Sequence, residues 1–202
     1  VVGISSLHTV DTDASLEVAR EVKRHDRRIF TLIGGHAAAT YPVSVTDGAV
    51  DAIALEDGEA VVPTLVTVLS RGGDVRSVPG FVFPEGRSPA SADRVELDLV
   101  PRAARSLVSR YQARYMCVHK SPLWALETAR GCPYRCSFCS IWRHHDRTYR
   151  LRSIDAVCGD FAEVGGNVFV VDDLFWYPRA RSLDLAKALR ARSIKKDWVL
   201  VQ

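Results

Sequence analysis

The sequence predicts an α/β protein with parallel sheets, laid out as two successive α/β units. Three observations carry this. Short apolar runs alternate with segments of helical periodicity along most of the chain. The run Val168–Val171 is apolar at every position, as in a strand covered on both faces. Paired glycines close the elements: Gly34-Gly35 after a strand, Gly72-Gly73 and Gly165-Gly166 after helices.

In chain order, Val1–Ser6 reads as the first strand. Asp11, Thr12 and Asp13 offer N-caps for a helix to about His25, with Ala14, Val18, Ala19 and Val22 on its apolar side. Arg20, Lys23, Arg24, Arg27 and Arg28 crowd its end and read as a solvated face. Ile29–Ile33 is the second strand and Asp51–Leu55 the third. A helix from about Glu59 then carries Val62, Leu65, Val66 and Leu69. Strands alternating with helices imply right-handed crossovers in a parallel sheet.

From Ser77 the texture changes. Gly80–Phe83, the turn Pro84-Glu85-Gly86 and Arg94–Leu97 suggest a β-hairpin. Pro84–Asp93 has a linker's composition, and Leu99-Val100-Pro101 leads into a connecting stretch with Tyr111 and Tyr115. A second pattern starts with the strand Leu123–Thr128 and a cysteine loop. Ser153 caps a helix with Ile154, Val157, Cys158, Phe161 and Ala162 at helical spacing. After Val168–Val171, a helix begins near Pro178 with Leu185, Ala188 and Leu189, and Trp198–Val201 starts another strand. Strand-helix-strand-helix-strand is the opening of a (β/α) barrel.

The charge balance, 27 basic against 24 acidic residues, argues against nucleic acid or an anionic membrane as partner. No apolar run approaches the length of a membrane span, and no secretory signal opens the chain, so a cytoplasmic protein is expected. The chain starts without methionine in one strand-like run and stops in another, so it is expected to be a fragment from the interior of a longer protein.

Five cysteines include one tight group, Cys132, Cys136 and Cys139, in Gly131-Cys132-Pro133-Tyr134-Arg135-Cys136-Ser137-Phe138-Cys139. An odd count with one cluster reads as a metal site in a reducing compartment. Three thiolates on a short loop suit three irons of a 4Fe–4S cube, with the fourth iron open to a small molecule. A zinc site completed by His144 or His145 is the alternative. Cys158 lies on the apolar side of its helix and reads as a core thiol; nothing in the sequence speaks to Cys117.

The CxxxCxxC spacing, the preceding glycine and the aromatic residue before the last cysteine resemble the radical S-adenosylmethionine (SAM) superfamily. That resemblance implies a 4Fe–4S cluster on Cys132, Cys136 and Cys139 that cleaves SAM reductively, with Phe138 bordering the adenine. Asp172 and Asp173, in Val171-Asp172-Asp173-Leu174-Phe175, stand where the superfamily holds the SAM amino group and resemble its cobalamin-dependent branch. A capping or turn role for the pair stays open. Arg150 and Arg152 are candidates for the SAM carboxylate or for surface salt bridges.

Ser5-Ser6-Leu7 and Gly34-Gly35-His36, each after a strand, resemble the cobalamin-binding fold and imply that Ser5, Leu7, Gly34 and Gly35 surround the cofactor's nucleotide tail. Ligands of open parallel sheets do bind outside the carboxyl ends of the strands. Asp57-Gly58-Glu59 resembles a Gly-Glu element of the same branch. Neither His8 nor His36 stands at the position of a lower-axial cobalamin ligand.

The whole chain thus resembles the cobalamin-binding radical SAM enzymes, most of all hopanoid C-3 methylases. The expected organisation is a partial Rossmann-like cobalamin-binding domain over 1–76, a hairpin and linker over 77–121, and the start of a radical SAM (β/α) barrel over 122–202. The resemblance implies a methyltransferase acting on an unactivated carbon of a small, apolar substrate, with an electron donor such as flavodoxin or ferredoxin. A radical SAM cyclase or oxidoreductase of the magnesium-protoporphyrin ester cyclase type, or a non-catalytic iron–sulfur or zinc module, are the alternatives. The fragment alone is expected to be inactive.

Overall fold

In the computed structural model, which describes residues 1–90 and 94–201, the chain divides into Val1–Val95 and Glu96–Gln202. The first unit runs β1 (Val2–Ser5), α1 (Thr12–His25), β2 (Thr31–Gly34), α2 (His36–Thr40), β3 (Ala52–Ala54), α3 (Gly58–Ser70), β4 (Phe81–Phe83) and β5 (Gly86–Arg87). One sheet takes all five strands in order, β1, β2 and β3 parallel, β4 and β5 antiparallel. Strand alternation sends Ile33 and Ile53 to one face, where Leu16, Ala19, Ala38 and Val45 cover them. Leu32, Ala52 and Ala54 point the other way, onto Val61, Leu65 and Phe81.

Two expectations need correction here. The buried stripe of α1 is Ser15, Leu16 and Ala19, while Val18 is half exposed. The hairpin closes tightly, because Gly86-Arg87 pairs straight back on Val82 and Phe83; Arg94–Leu97 forms no strand. Since β4 also pairs with β3, the hairpin continues the first sheet, within the unit that ends at Val95. Ser91, Ala92 and Asp93 of the expected linker lie outside the described residues.

The second unit runs β6 (Trp124–Leu126), β7 (Ala129–Gly131), α4 (Ile141–His144), β8 (Tyr149–Leu151), α5 (Ile154–Glu163), β9 (Asn167–Val170), α6 (Arg179–Ala191) and β10 (Trp198–Leu200). β6, β9 and β10 form a parallel sheet in the order β10-β9-β6. That is the order of consecutive strands in a (β/α) barrel. Val168 and Val170 pack on Val157, Cys158 and Phe161 of α5 and Leu185 of α6. Ser153 caps α5 by accepting a hydrogen bond from the Ala156 amide at 3.2 Å. β7 and β8, an antiparallel ribbon absent from the sequence reading, carry residues 129–151 away from the end of β6 and back. No helix among the described residues is long and apolar enough to cross a membrane.

Candidate functional site

The cysteines sit on the loop between β7 and α4, past the carboxyl end of β6. Gly131, immediately before Cys132, has φ +91°, and a Cβ there would stand 2.3 Å from the Thr148 carbonyl. The two arms of the ribbon approach closely only because this residue has no side chain. The Cys139 amide and the Trp142 indole N–H both donate to the Cys136 carbonyl at 3.1 Å, turning the loop back on itself. Cys136 is exposed, Cys132 and Cys139 partly so, and none of them is in a disulfide. Among the described residues, no three His, Cys, Asp or Glu side chains gather around one point as a single metal ion requires. A cluster takes one thiolate to each of three irons. Three free, at least partly accessible thiols on one loop are a donor set that fits it.

Cys158 is fully buried, and burial pushes its thiol above the ordinary value, so it stays protonated in the core. Phe138 is 91% exposed beside the cysteines. Tyr134 stacks edge-on against Tyr177, and Tyr177 against Tyr149. The Tyr149 hydroxyl sits 2.7 Å from the Leu174 carbonyl and 2.5 Å from that of Tyr177, pinning the segment after β9 to the ribbon. Burial is the main reason its pKa is pushed up to about 12.

The two residues of the acidic pair after β9 are placed differently from each other. Asp172 is 1% exposed, and both its oxygens face Thr128, accepting from the amide at 2.6 Å and the hydroxyl at 2.5 Å. Burial raises its pKa, against the lowering effect of those hydrogen bonds. Asp173 is partly exposed and accepts from the Gly131 amide at 2.8 Å, with His145 Nε2 at 3.5 Å. Thus Asp172 braces the base of the cysteine ribbon, and Asp173 reaches the residue before the first cysteine. His145 is buried and turned toward Asp173, with its ring edge-on to that of His144.

Arg152 is also internal: it bonds the Glu127 carbonyl at 3.0 Å and the buried Asp160 at 2.5 Å. Arg150 sits in the ribbon opposite Arg130. Sequence reasoning missed Thr128, Tyr149 and Arg181, which hold this arrangement. Arg181 stands four residues before Leu185 and eight before Leu189, on the stripe that α6 buries, so its periodicity was the available signal.

In the first unit, Ser5 and Gly34 are register partners at the carboxyl ends of β1 and β2. The Ser6 amide donates to the Gly34 carbonyl at 2.8 Å, and the Ala37 amide to the Ser6 carbonyl at 3.2 Å. Gly35 has φ +101°, and a Cβ on it would lie 2.7 Å from the Ser6 oxygen, so only glycine lets α2 start this close to β1. Ser5, Leu7 and Gly35 are exposed, above a fully buried Ser6 whose hydroxyl has no hydrogen-bond partner among the described residues. β3 ends on the same side, so Asp57-Gly58-Glu59 enters α3 from there. An exposed rim over an unpartnered hydroxyl at the ends of parallel strands fits the polar tail of a cofactor.

No family model matches the chain. It is similar to hopanoid C-3 methylase from Methylococcus capsulatus, with 30% identity over 99% of this chain and 39% of that protein. It also resembles the anaerobic magnesium-protoporphyrin IX monomethyl ester cyclase of Rubrivivax gelatinosus, 30% identical over 69% of this chain and 26% of that one. Among solved structures, the radical SAM methyltransferase TsrM of Kitasatospora setae, with cobalamin and a [4Fe-4S] cluster bound, superposes with a TM-score of 0.74. The superposition covers 95% of this chain and 41% of TsrM at 21% identity, a likeness of fold. The chain spans about two fifths of the length of the hopanoid methylase it matches.

Proposed function

We propose that this chain, a homologue of hopanoid C-3 methylase over nearly its whole length, serves a cobalamin-dependent radical SAM methyltransferase acting on an unactivated carbon. The observation that carries the reading is the order of two sites in one homologous stretch. A cobalamin-type rim at Ser5, Leu7, Gly34 and Gly35 is followed by a three-cysteine loop at the end of the first barrel strand.

Cys132, Cys136 and Cys139 hold the cluster. When bound, the cluster supplies the electron that cleaves SAM. Phe138, exposed beside the cysteines, offers its ring to the adenine. Asp173, which accepts a hydrogen bond from the Gly131 amide, would face the SAM amino group, whereas Asp172, enclosed by Thr128, acts through the backbone it positions. Ser5, Leu7, Gly34 and Gly35 receive the cobalamin tail. Five free thiols suit a reducing, cytoplasmic setting with a small electron-donor protein as partner. The substrate is a small, apolar molecule of the hopanoid kind.

The similarity to the magnesium-protoporphyrin ester cyclase favours one second reading, a radical SAM cyclase without net methyl transfer. One experiment separates them. The full-length protein, purified anaerobically with cobalamin and reduced, is supplied with SAM carrying a labelled methyl group in the presence of host lipids. Label in a lipid product supports the methyltransferase. Deoxyadenosine release without label in any product supports the cyclase, and the absence of deoxyadenosine refutes both.

A further inference from the structure

We infer that Arg181 of α6 is a positioning residue for the cysteine-bearing ribbon, an inference that builds on the cluster assignment proposed above. The ribbon leaves the sheet at Thr128 and returns at Arg152, whose amide donates to the Thr128 carbonyl at 3.0 Å. Nη2 of Arg181 donates to the carbonyls of both residues, at 3.0 Å each. One nitrogen therefore ties together the two arms at the point where they join the sheet. From the other side, Asp172 at the end of β9 takes the amide and hydroxyl of Thr128. All three polar groups of Thr128 are engaged, by two side chains far away in sequence.

The location is a costly one for an arginine. Arg181 is 8% exposed and lies in the first turn of a helix, where the helix dipole disfavours a cation. Burial pulls its pKa down, opposed by the negative charges of Asp172 and Asp98 and by Tyr149. Its Nη1 is buried without a hydrogen-bond partner among the described residues. Methionine would fill much of the same volume without burying a charge. What methionine lacks is a donor that can hold two carbonyls at once. Gly131 and Cys132 follow shortly after Thr128, and Tyr149 shortly precedes Arg152, so slack at the base reaches both arms of the cysteine loop.

The test is hydrogen exchange of the full-length protein without metal, so that the reading does not depend on a cluster. Arg181→Met, Arg181→Lys and the exposed control Arg179→Gln are compared with the wild type. In Arg181→Met, amides from 129 to 152 should exchange roughly tenfold faster or more, while α5 and β9 stay within about twofold of the wild type. The urea midpoint of the same variant should hold or rise. Arg181→Lys should restore part of the protection, and Arg179→Gln should change nothing. After anaerobic reconstitution, Arg181→Met should need roughly tenfold more SAM to perturb the electron paramagnetic resonance signal of the reduced cluster. Unchanged exchange in 129–152, or faster exchange spread evenly over the unit with a fallen midpoint, overturns the inference. Loosening of the ribbon in a protein whose wild type takes up no iron supports the tie and refutes the cluster assignment instead.

Discussion

Removing the Asp172 carboxylate tests the buried network beneath the cysteine loop. Asp172→Ala deletes two charge-assisted hydrogen bonds, at 2.6 Å to the Thr128 amide and 2.5 Å to its hydroxyl. Each costs roughly 1.5–3 kcal/mol when one partner is cut away, and both Thr128 donors are left buried. Part of this is offset because a carboxylate no longer has to be desolvated, an effect already visible in its raised pKa. The net loss should be about 2–4 kcal/mol. Asp172→Asn keeps the shape: its carbonyl accepts the Thr128 amide and its NH₂ donates to the hydroxyl, so the cost should stay below about 1 kcal/mol. All four tryptophans lie in the second unit, so fluorescence during urea unfolding reports on it alone. With a slope on the order of 2 kcal/mol/M, the alanine variant should lose about 1–2 M in midpoint. The pH dependence has a definite sign. The folded state holds the Asp172 proton more tightly than the unfolded chain, so the stability tied to this group is present in acid. It is lost as pH rises from the ordinary value of 3.8 through the raised one. The advantage of wild type over Asp172→Asn should therefore shrink across that range. Equal midpoints for the two variants, or an advantage that grows with pH, would refute the placement of Asp172.

Gly131→Ala should cost at least about 2 kcal/mol, through positive φ and the clash with the Thr148 carbonyl, and should lower iron uptake; iron analysis and urea unfolding check both. Tyr149 should stay un-ionised until about pH 12, so its phenolate absorbance, taken as the difference between wild type and Tyr149→Phe, should appear late; a midpoint near 10 would contradict its burial. Asp173→Ala should weaken SAM binding by roughly tenfold or more in calorimetry while iron content holds, and unchanged affinity would make Asp173 structural. Cys158→Ala should leave the iron in place and cost roughly 1–2 kcal/mol through the cavity it opens between α5 and the sheet, measured by urea unfolding.

Much of the fold was legible in the sequence because buried parallel strands and capped helices leave strong local signals. Val168–Val170, Ser153 as N-cap and the glycines after helices all act within a few residues of themselves. The grouping of the three cysteines was legible for the same reason, since they fall within eight consecutive residues. What stayed hidden depends on distant partners. β7 and β8 are three residues each and pair across the whole loop, too short for a periodic signal. Asp172 and Asp173 look alike in sequence, and only the position of Thr128 separates a buried brace from an accessible acid. Arg181 breaks the rule that buried helix positions are apolar, and its reason lies at Thr128 and Arg152, in another part of the chain. The hairpin was misjudged because the two-residue turn at Pro84-Glu85 brings Gly86-Arg87 back at once, before any apolar run announces a strand.

Iron and sulfide analysis after anaerobic reconstitution decides whether Cys132, Cys136 and Cys139 hold the proposed 4Fe–4S cluster. Wild type, Cys117→Ala and Cys158→Ala should each bind about four irons and four sulfides per chain, with a brown charge-transfer absorption. Alanine at Cys132, Cys136 or Cys139 should abolish both. Zinc in place of iron in the wild type, or a full cluster in any of those three variants, would contradict this assignment.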